Sequence, residues 1–444
     1  MLKGWLSIRC VVVASVFALL PGCELEDGDS RPLPGAMAGQ AGAAGAVVAG
    51  GTGGTAGGTA GAGGSGGQSM SGQGGSTTPG GSGGAGGSDS LGGSGGAGSG
   101  GVAAGGSPPQ LDESLRARVV AGMEPLQAWY DASTGLFEED DWWTSGNQLT
   151  TVIDYTRETG DMTYFADIDN TFQKNKDSNF DRHGFYDDDG WWALVWIKAY
   201  DLTQQQAYLD MAKTIFQRMA GSWDDKCNGG IYWRSQKDKK NAISNSLFMQ
   251  TAAQLHLRTP GDTGAGSFLD WAQRTWTWFK GTGMLRSDKL VIDTLSDLTT
   301  CEATGGTFSY NQGVLVGALV DLAASTGDAT LLDEAGAIVG ATMTSPSLQS
   351  DGVMTEPCGI DTKDCWQFKG VFFRNLLAFY RARPAQDIQE YARKQSDSIW
   401  NVARNAENQF GYHWHVAFDG ASSRRQGSAL DALLTAYAVS SPLP

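Results

Sequence analysis

Outside a leader at residues 1–22, the 444-residue chain contains no apolar run long enough to cross a bilayer. Basic residues are few and scattered: 32 Lys and Arg face 48 Asp and Glu, for a formal net charge of −16. No Lys/Arg-rich stripe forms, so a nucleic-acid partner is not expected, because phosphate contacts need clustered cations. A neutral polymer fits this balance better than an anionic one. Histidine occurs only four times and never at ligand spacing from a cysteine, which makes a zinc site the weaker reading of the cysteines. Alternating strand patterns are absent from the folded part. No metal or cofactor is expected.

The ends of the chain have their own signatures. Lys3 and Arg9 precede an apolar run, Cys10 to Leu20, too short for a stop-transfer helix. The run ends in Leu20-Pro21-Gly22-Cys23, which resembles a bacterial lipobox with an unusual Pro at its second position. That resemblance implies removal of Met1 to Gly22 and acylation of Cys23, so that the protein is an exported lipoprotein of a bacterial envelope. Ordinary secretion, with cleavage near the same place, is the alternative. From about Pro34 to Ser107 the chain is almost only Gly, Ala, Ser and Thr. Such a segment cannot bury enough apolar area to offset its ordering entropy and reads as a flexible tether. Its glycines do not recur strictly every third residue, which excludes collagen. The expected organisation is therefore a leader (1–22), an anchor and disordered linker (23–110) and one folded domain (111–444). The linker suggests a domain that works singly, as a monomer, touching the membrane only through its anchor.

With Cys10 in the leader and Cys23 at the anchor, four cysteines remain: Cys227, Cys301, Cys358 and Cys365. Four cysteines permit three pairings. Cys358 and Cys365 would close one short loop, which leaves Cys227 and Cys301 for a second bridge. Export makes disulfides plausible.

The folded part reads as helix after helix, with apolar residues at three- and four-residue spacing. Periodicity predicts helices over 111–130, 147–159, 162–174, 190–200, 203–220, 241–258, 266–280, 310–326, 329–344, 367–381, 387–403 and 428–438. Twelve helices with alternating long and short connections make six hairpins, an all-α (α/α)6 toroid. Each even-numbered helix is preceded by a polar or aromatic cluster: "WWTSGNQL", "YDDDGWW", "KKNAISNS", "GTFSYNQG", "DCWQFKG" and "RRQGSALD". Parallel inner helices would bring all six clusters to one funnel. Helix capping by Ser, Asn and Asp explains any single cluster equally well. About half of the tryptophans at these starts are expected in the core, and the rest against pyranose rings.

The stretch "YDDDGWWALVWIKAYDLT" resembles the aspartate-pair motif of glycoside hydrolase family 76, the endo-α-1,6-mannanases and their fungal wall-protein relatives. The similarity continues through "WWTSGNQLTTVIDY", "GGIYWRSQKDKKNAISNSLFMQTAAQL", "FSYNQGVLVGAL", "FKGVFFRNL" and "SALDALLTA". It implies an (α/α)6 barrel that hydrolyses α-1,6-linked mannan with retention and without cofactor. Residue by residue, it implies Asp187 as nucleophile and Asp188 as acid/base. It leaves Asp189 at a variable position, where helix capping is the expected role. Trp142, Asn147, Tyr186, Trp192, Asn245, Tyr310, Gln312 and Phe368 are the implied sugar contacts. Mannan transglycosylation, which shares the first chemical step, and non-catalytic glycan binding are the rival functions.

The chemistry also stands without the resemblance. A retaining glycosidase needs two carboxyl groups roughly 5–5.5 Å apart, an inverting one roughly 6.5–9.5 Å. Neighbouring Cα atoms lie about 3.8 Å apart, so adjacent aspartates lean towards retention. Mutual repulsion and the surrounding aromatics raise one pKa, while a helix N-terminus keeps a carboxylate ionised. Which aspartate receives which influence is not legible. The loop from Asp351 to Asp364 carries no functional account.

Overall fold

The computed structural model describes residues 111–137, 142–182, 184–441 and 443. The leader, Cys23 and the Gly-rich linker lie outside these residues.

Among the described residues there are twelve α-helices: α1 (Glu113–Gln127), α2 (Trp142–Thr159), α3 (Ala166–Asn175), α4 (Tyr186–Thr203), α5 (Gln206–Ala220) and α6 (Ala242–Leu257), followed by α7 (Phe268–Gly281), α8 (Ser309–Thr326), α9 (Thr330–Thr344), α10 (Cys365–Ala382), α11 (Gln386–Asn401) and α12 (Ser423–Ala438). Seven two-residue strands sit in the connections: β1 (Tyr130–Asp131), β2 (Leu136–Phe137), β3 (Lys240–Asn241), β4 (Thr294–Leu295), β5 (Ala303–Thr304), β6 (Gln349–Ser350) and β7 (Val353–Met354). They form two hairpins and one antiparallel sheet in the order β3-β4-β5.

Burial separates the helices into two layers. In α6, 13 of 16 residues are buried, and in α12 15 of 16, as expected of helices enclosed on all sides. In α9 only 5 of 15 are buried and in α7 5 of 14, the single stripe of an outer helix. The inner ring runs α2-α4-α6-α8-α10-α12 and closes from α12 back to α2. The toroid expected from periodicity is thus present. Helices α5, α7 and α9 fold back on the inner helix before them, whereas α11 packs chiefly on α12, and α1 completes the outer layer against that same helix. The expectation that every outer helix lies beside the inner helix preceding it therefore fails for α11. Inner helices approach closely where glycine removes a side chain. A Cβ on Gly313 of α8 would stand 2.5 Å from the Phe372 Cα of α10, and one on Gly370 of α10 2.6 Å from the Ser428 Cα of α12.

Four inner helices begin earlier than their apolar period indicates: α2 at Trp142, α4 at Tyr186, α10 at Cys365 and α12 at Ser423. The polar and aromatic clusters form the first turns of these helices instead of preceding them. They break the hydrophobic pattern because polar side chains such as Asn147, Asp189, Gln367 and Gln426 are buried there on polar partners, while their backbone is already helical. Caps fix several starts. The Asn241 side chain accepts from the Ser244 N–H before α6, Ser267 from Asp270 before α7, and Ser422 from Arg425 before α12.

The structure pairs Cys227 with Cys301 and Cys358 with Cys365, with Cα separations of 5.5 and 6.4 Å. The second bridge ties the loop after β7 to the first residue of α10. None of the described helices is long and apolar enough to cross a membrane.

Candidate active site

The three aspartates of "YDDDGWW" occupy the first turn of α4, where unpaired backbone N–H groups concentrate positive charge. Their surroundings differ. Asp187 Oδ2 accepts the indole N–H of Trp233 at 3.0 Å, while its Oδ1 is buried with no hydrogen-bond partner. Burial pushes its pKa up to about 7, against the Trp233 hydrogen bond and the backbone N–H groups of Asp187 and Asp188; the nearby Asp364 charge adds to the rise. Asp188 is buried at 8% exposure. Asp189 is not the expected helix cap. Its carboxylate takes a two-pronged bond from Arg218 of α5, Nε to Oδ2 at 2.9 Å and Nη2 to Oδ1 at 2.6 Å. Arg218 also donates to the carbonyls of Asn179 and Phe180. Asp189 thus ties α4 to α5 and to the preceding loop, and even so burial raises its pKa to about 6.

Successive residues on a helix point about 100° apart, so each tryptophan pair splits between two environments. Trp142 stacks on Phe180 at 5.8 Å, and Trp192 packs on Trp142 at 4.6 Å and on Trp196 at 5.9 Å. Trp192 is fully buried and Trp142 nearly so, and both belong to the main core between the layers. Neither can reach a sugar. Their neighbours take the axial side. Trp143 lies 6.0 Å from Trp191 and 6.3 Å from Phe368, and Trp191 packs with Ile243, Leu247, Val314 and Val371 from three further inner helices. Phe368 stacks on Tyr310 with centroids 3.9 Å apart and planes 7° apart. The implied contacts Tyr310 and Phe368 therefore stand together in the cleft, joined by Trp143 in place of Trp142. Tyr186 belongs elsewhere, because its hydroxyl senses Asp189, Asp181 and Arg218 on the α5 side.

The implied amide contacts are structural. Asn245 accepts from the Ile231 N–H at 2.8 Å and donates to the Ile231 carbonyl at 3.0 Å. Gln312 makes the same pair of bonds to Val291, at 2.7 and 2.8 Å. Gln426 of α12 repeats the device, accepting from the Phe410 N–H at 2.9 Å and donating to the Gly122 and Asn408 carbonyls. Each buried amide clamps the extended chain that enters the funnel beside its own helix. Asn147 is held between the Trp143 carbonyl and Arg374. These four side chains are fully or almost fully buried and already satisfied, which removes them from sugar recognition.

The profile of glycosyl hydrolase family 76 matches residues 117–443. The chain belongs to that family. A mannan endo-1,6-alpha-mannosidase, DCW1 of Candida albicans, is 29% identical over 197 residues, 39% of this chain and 43% of the relative. A putative mannan endo-1,6-alpha-mannosidase of Schizosaccharomyces pombe is 27% identical over 46% of this chain and 49% of the relative. The chain thus spans under half the length of these curated relatives. The GH76A alpha-1,6-mannanase of Salegentibacter sp. HEL1_6 superposes with a TM-score of 0.65 at 22% identity, over 72% of this chain and 98% of the mannanase. An inactive variant of it, with two adjacent aspartates changed to asparagine, was solved with alpha-1,6-mannotriose; its TM-score is 0.66 at 22% identity, over 73% and 99% of the two chains. Dfg5 of Chaetomium thermophilum, in complex with glucosamine, gives a TM-score of 0.66 at 19% identity over 76% and 93%. These likenesses show the shared toroid.

In this family 76 chain, the residues around Asp187 that sequence reasoning did not single out come from loops. Trp233 is held in place by backbone pairing: its carbonyl accepts the Tyr186 N–H at 2.8 Å and its N–H donates to Lys239 at 2.9 Å. Lys239 also sits 3.8 Å over its ring. Asp293, before β4, accepts from Asn311 at 3.0 Å and from the Tyr310 hydroxyl at 3.3 Å. Burial together with the charges of Asp293, Asp187 and Asp364 raises the Tyr310 pKa well above its usual value, so these groups surround one space. Trp233, Asp293 and Asp364 lie on no periodic segment, and only the aromatic and acidic composition of the loops hinted at them.

Proposed function

We propose that residues 111–444 form a retaining, endo-acting hydrolase of α-1,6-linked mannan, held at the cell surface through Cys23 and the Gly-rich linker. The observation that carries this reading is the Asp187–Asp188 pair at the start of α4, with one Asp187 oxygen fixed by Trp233 and the other buried without a partner. The family, the curated relatives named as mannan endo-1,6-alpha-mannosidases and the mannotriose complex of the Salegentibacter variant support it.

Asp187 attacks the anomeric carbon and forms a glycosyl ester, while Asp188 protonates the departing glycosidic oxygen. Asp188 then removes a proton from water, which displaces the sugar from Asp187 with net retention. A buried nucleophile with a pKa near 7 is only partly ionised at neutral pH. Positive charge developing on the sugar favours the ionised form, and the Trp233 N–H and the N-terminal turn of α4 assist it. Trp143 and Tyr310, both partly exposed and backed by the buried Phe368, supply the ring surface against which pyranoses stack.

The test is hydrolysis of linear α-1,6-mannan by the purified chain, with Asp187→Gly and Asp188→Gly. Each variant is expected to lose activity on the order of 10⁴-fold, as when a concerted nucleophile–acid set is broken. Azide should rescue both with opposite stereochemistry: an azide of inverted configuration from the nucleophile variant and of retained configuration from the acid/base variant. The reverse assignment would exchange the two roles. Full activity in either variant sinks the mechanism, and products longer than the input chain would favour transglycosylation.

A further inference from the structure

We propose that a cleft beside α7, apart from the Asp187–Asp188 site, is a second glycan-binding site that takes a stretch of the same neutral mannan-type polymer. This rests on the functional reading above. The cleft has a volume of about 520 Å³ and is lined by Trp223, Asp225, Asn228, Gln273, Thr277 and Trp278, among others. It lies between the outer helix α7 and the loop that follows α5.

The cleft is a built feature. Gly229 and Gly230, at φ +131° and +85°, let the loop lie flat on the indoles: a Cβ on Gly229 would meet Trp223 at 2.7 Å, and one on Gly230 would meet Trp278 at 2.4 Å. The Trp278 N–H donates to the Cys227 carbonyl at 2.9 Å, and Cys227 is bridged to Cys301. The fully buried Lys240 ammonium donates to the Asp224 carboxylate and to the carbonyls of Lys226 and Gly229, each at 2.7 Å. A ligand therefore meets a preformed wall, and little loop ordering opposes binding.

The chemistry of the wall selects the ligand class. Trp223 is half-buried, with the exposed Arg274 guanidinium 5.2 Å from its ring centroid, while Asp225, Asn228 and Gln273 are exposed and their side chains hydrogen-bond to no described residue. An indole flanked by an amide pair and a carboxylate matches a ring with apolar C–H faces and vicinal hydroxyls. The wall carries one charge of each sign, Asp225 and Arg274, and the chain charge of −16 disfavours a polyanion. Trp233, the Asp187 partner, follows Asn228 by five residues, at most about 18 Å of extended chain. A long glycan can engage both places, whereas a short oligosaccharide occupies only one.

The test compares the wild-type chain with Asn228→Ala/Gln273→Ala and with Trp223→Ala, the double variant being the safeguard should the tryptophan change disturb packing. Each is assayed on polymeric α-1,6-mannan and on α-1,6-mannotetraose, and for retardation in native gels containing mannan in an Asp187→Asn/Asp188→Asn background. The expected result is a three- to tenfold rise in the KM for polymer, weaker retardation, and unchanged kcat and tetraose kcat/KM, as loss of a tethering contact predicts. Wild-type polymer KM and retardation in both variants would overturn the inference. So would an equal loss on both substrates, which would assign these residues to support of the catalytic cleft. Hydrolysis by the wild type without any retardation overturns this site alone. Absence of hydrolysis of either substrate removes the functional reading and the ligand named here.

Discussion

Two sets of aspartates receive opposite treatment. Below the cleft, Asp154 is bound by Lys198 at 2.6 Å and by Arg157 at 2.9 Å, Asp431 by Arg374, and Asp189 by Arg218. At the mouth, among the described residues, no cation stands within ion-pair distance of Asp187 or Asp293, which are held by an indole, an amide and a phenol. The first set is buried and the second partly so. A buried carboxylate with an arginine partner is a joint between helices. Burial raises the pKa on both sides, to about 6 for Asp189 and Asp431 and about 7 for Asp187, but a carboxylate held only by neutral donors is not tied into an ion pair. Asp187 and Asp189, two residues apart on one helix turn, fall on opposite sides of that division.

The comparison can be broken first on the paired side. Arg218→Ala strands the Asp189 carboxylate in a buried position, and about 3 kcal/mol of stability should be lost, read as a lower midpoint in chemical denaturation. Adding Asp189→Asn should recover much of that loss, with activity per folded molecule within a fewfold of wild type. A collapse of activity in the folded double variant would place Asp189 in the chemistry.

A smaller effect sharpens the unpaired side. Trp233→Phe keeps a ring and removes the N–H that lowers the Asp187 pKa, so kcat/KM should fall about tenfold, the worth of one hydrogen bond to a charged group. The acid limb of the pH–rate profile should also move upwards. An unchanged limb would mean that the indole only fills space.

The smallest effect is on stability. Burial raises the Asp187 pKa to about 7 from 3.8. Between those values the folded state binds more protons than the unfolded state, so this group's contribution to stability falls as pH rises from about 4 to 7 and is then constant. Asp187→Asn removes that loss. Its melting temperature should exceed that of wild type by a few degrees at pH 7.5 and by less at pH 4. A difference independent of pH would show that Asp187 titrates normally in the folded protein.

The toroid was legible because outer helices such as α5, α7 and α11 keep a 3.6-residue apolar period, enclosed ones such as α6 and α8 read as apolar all round, and the order of long and short connections distinguished inner from outer. The starts of α2, α4, α10 and α12 were not, since their first turns are polar and aromatic and carry no apolar period. The candidate site was legible to the level of segments. "YDDDGWW" and "WWTSGN" were found by composition, and Tyr310 and Phe368 do meet. Within each segment the particular residue was often missed: Trp142 and Trp192 are core while Trp143 and Trp191 are axial, because one helical step turns a side chain through 100°. Asn147, Asn245, Gln312 and Gln426 show the same limit. A buried amide that clamps a backbone segment and one that binds a hydroxyl are identical in composition.

By itself, then, the sequence determined that the folded part is a ring of helices, that polar and aromatic clusters gather at one end of it, and that adjacent carboxylates begin its fourth helix. These follow from local periodicity and composition. Only the tertiary structure decided which carboxylate has a cation beside it, which indole faces the axis and which amide is already satisfied. Those depend on partners 29 to 46 residues away, as Arg218 is from Asp189 and Trp233 from Asp187. No local rule carries the position of such partners, and their presence or absence sets whether a buried aspartate holds the fold together or stays free to react.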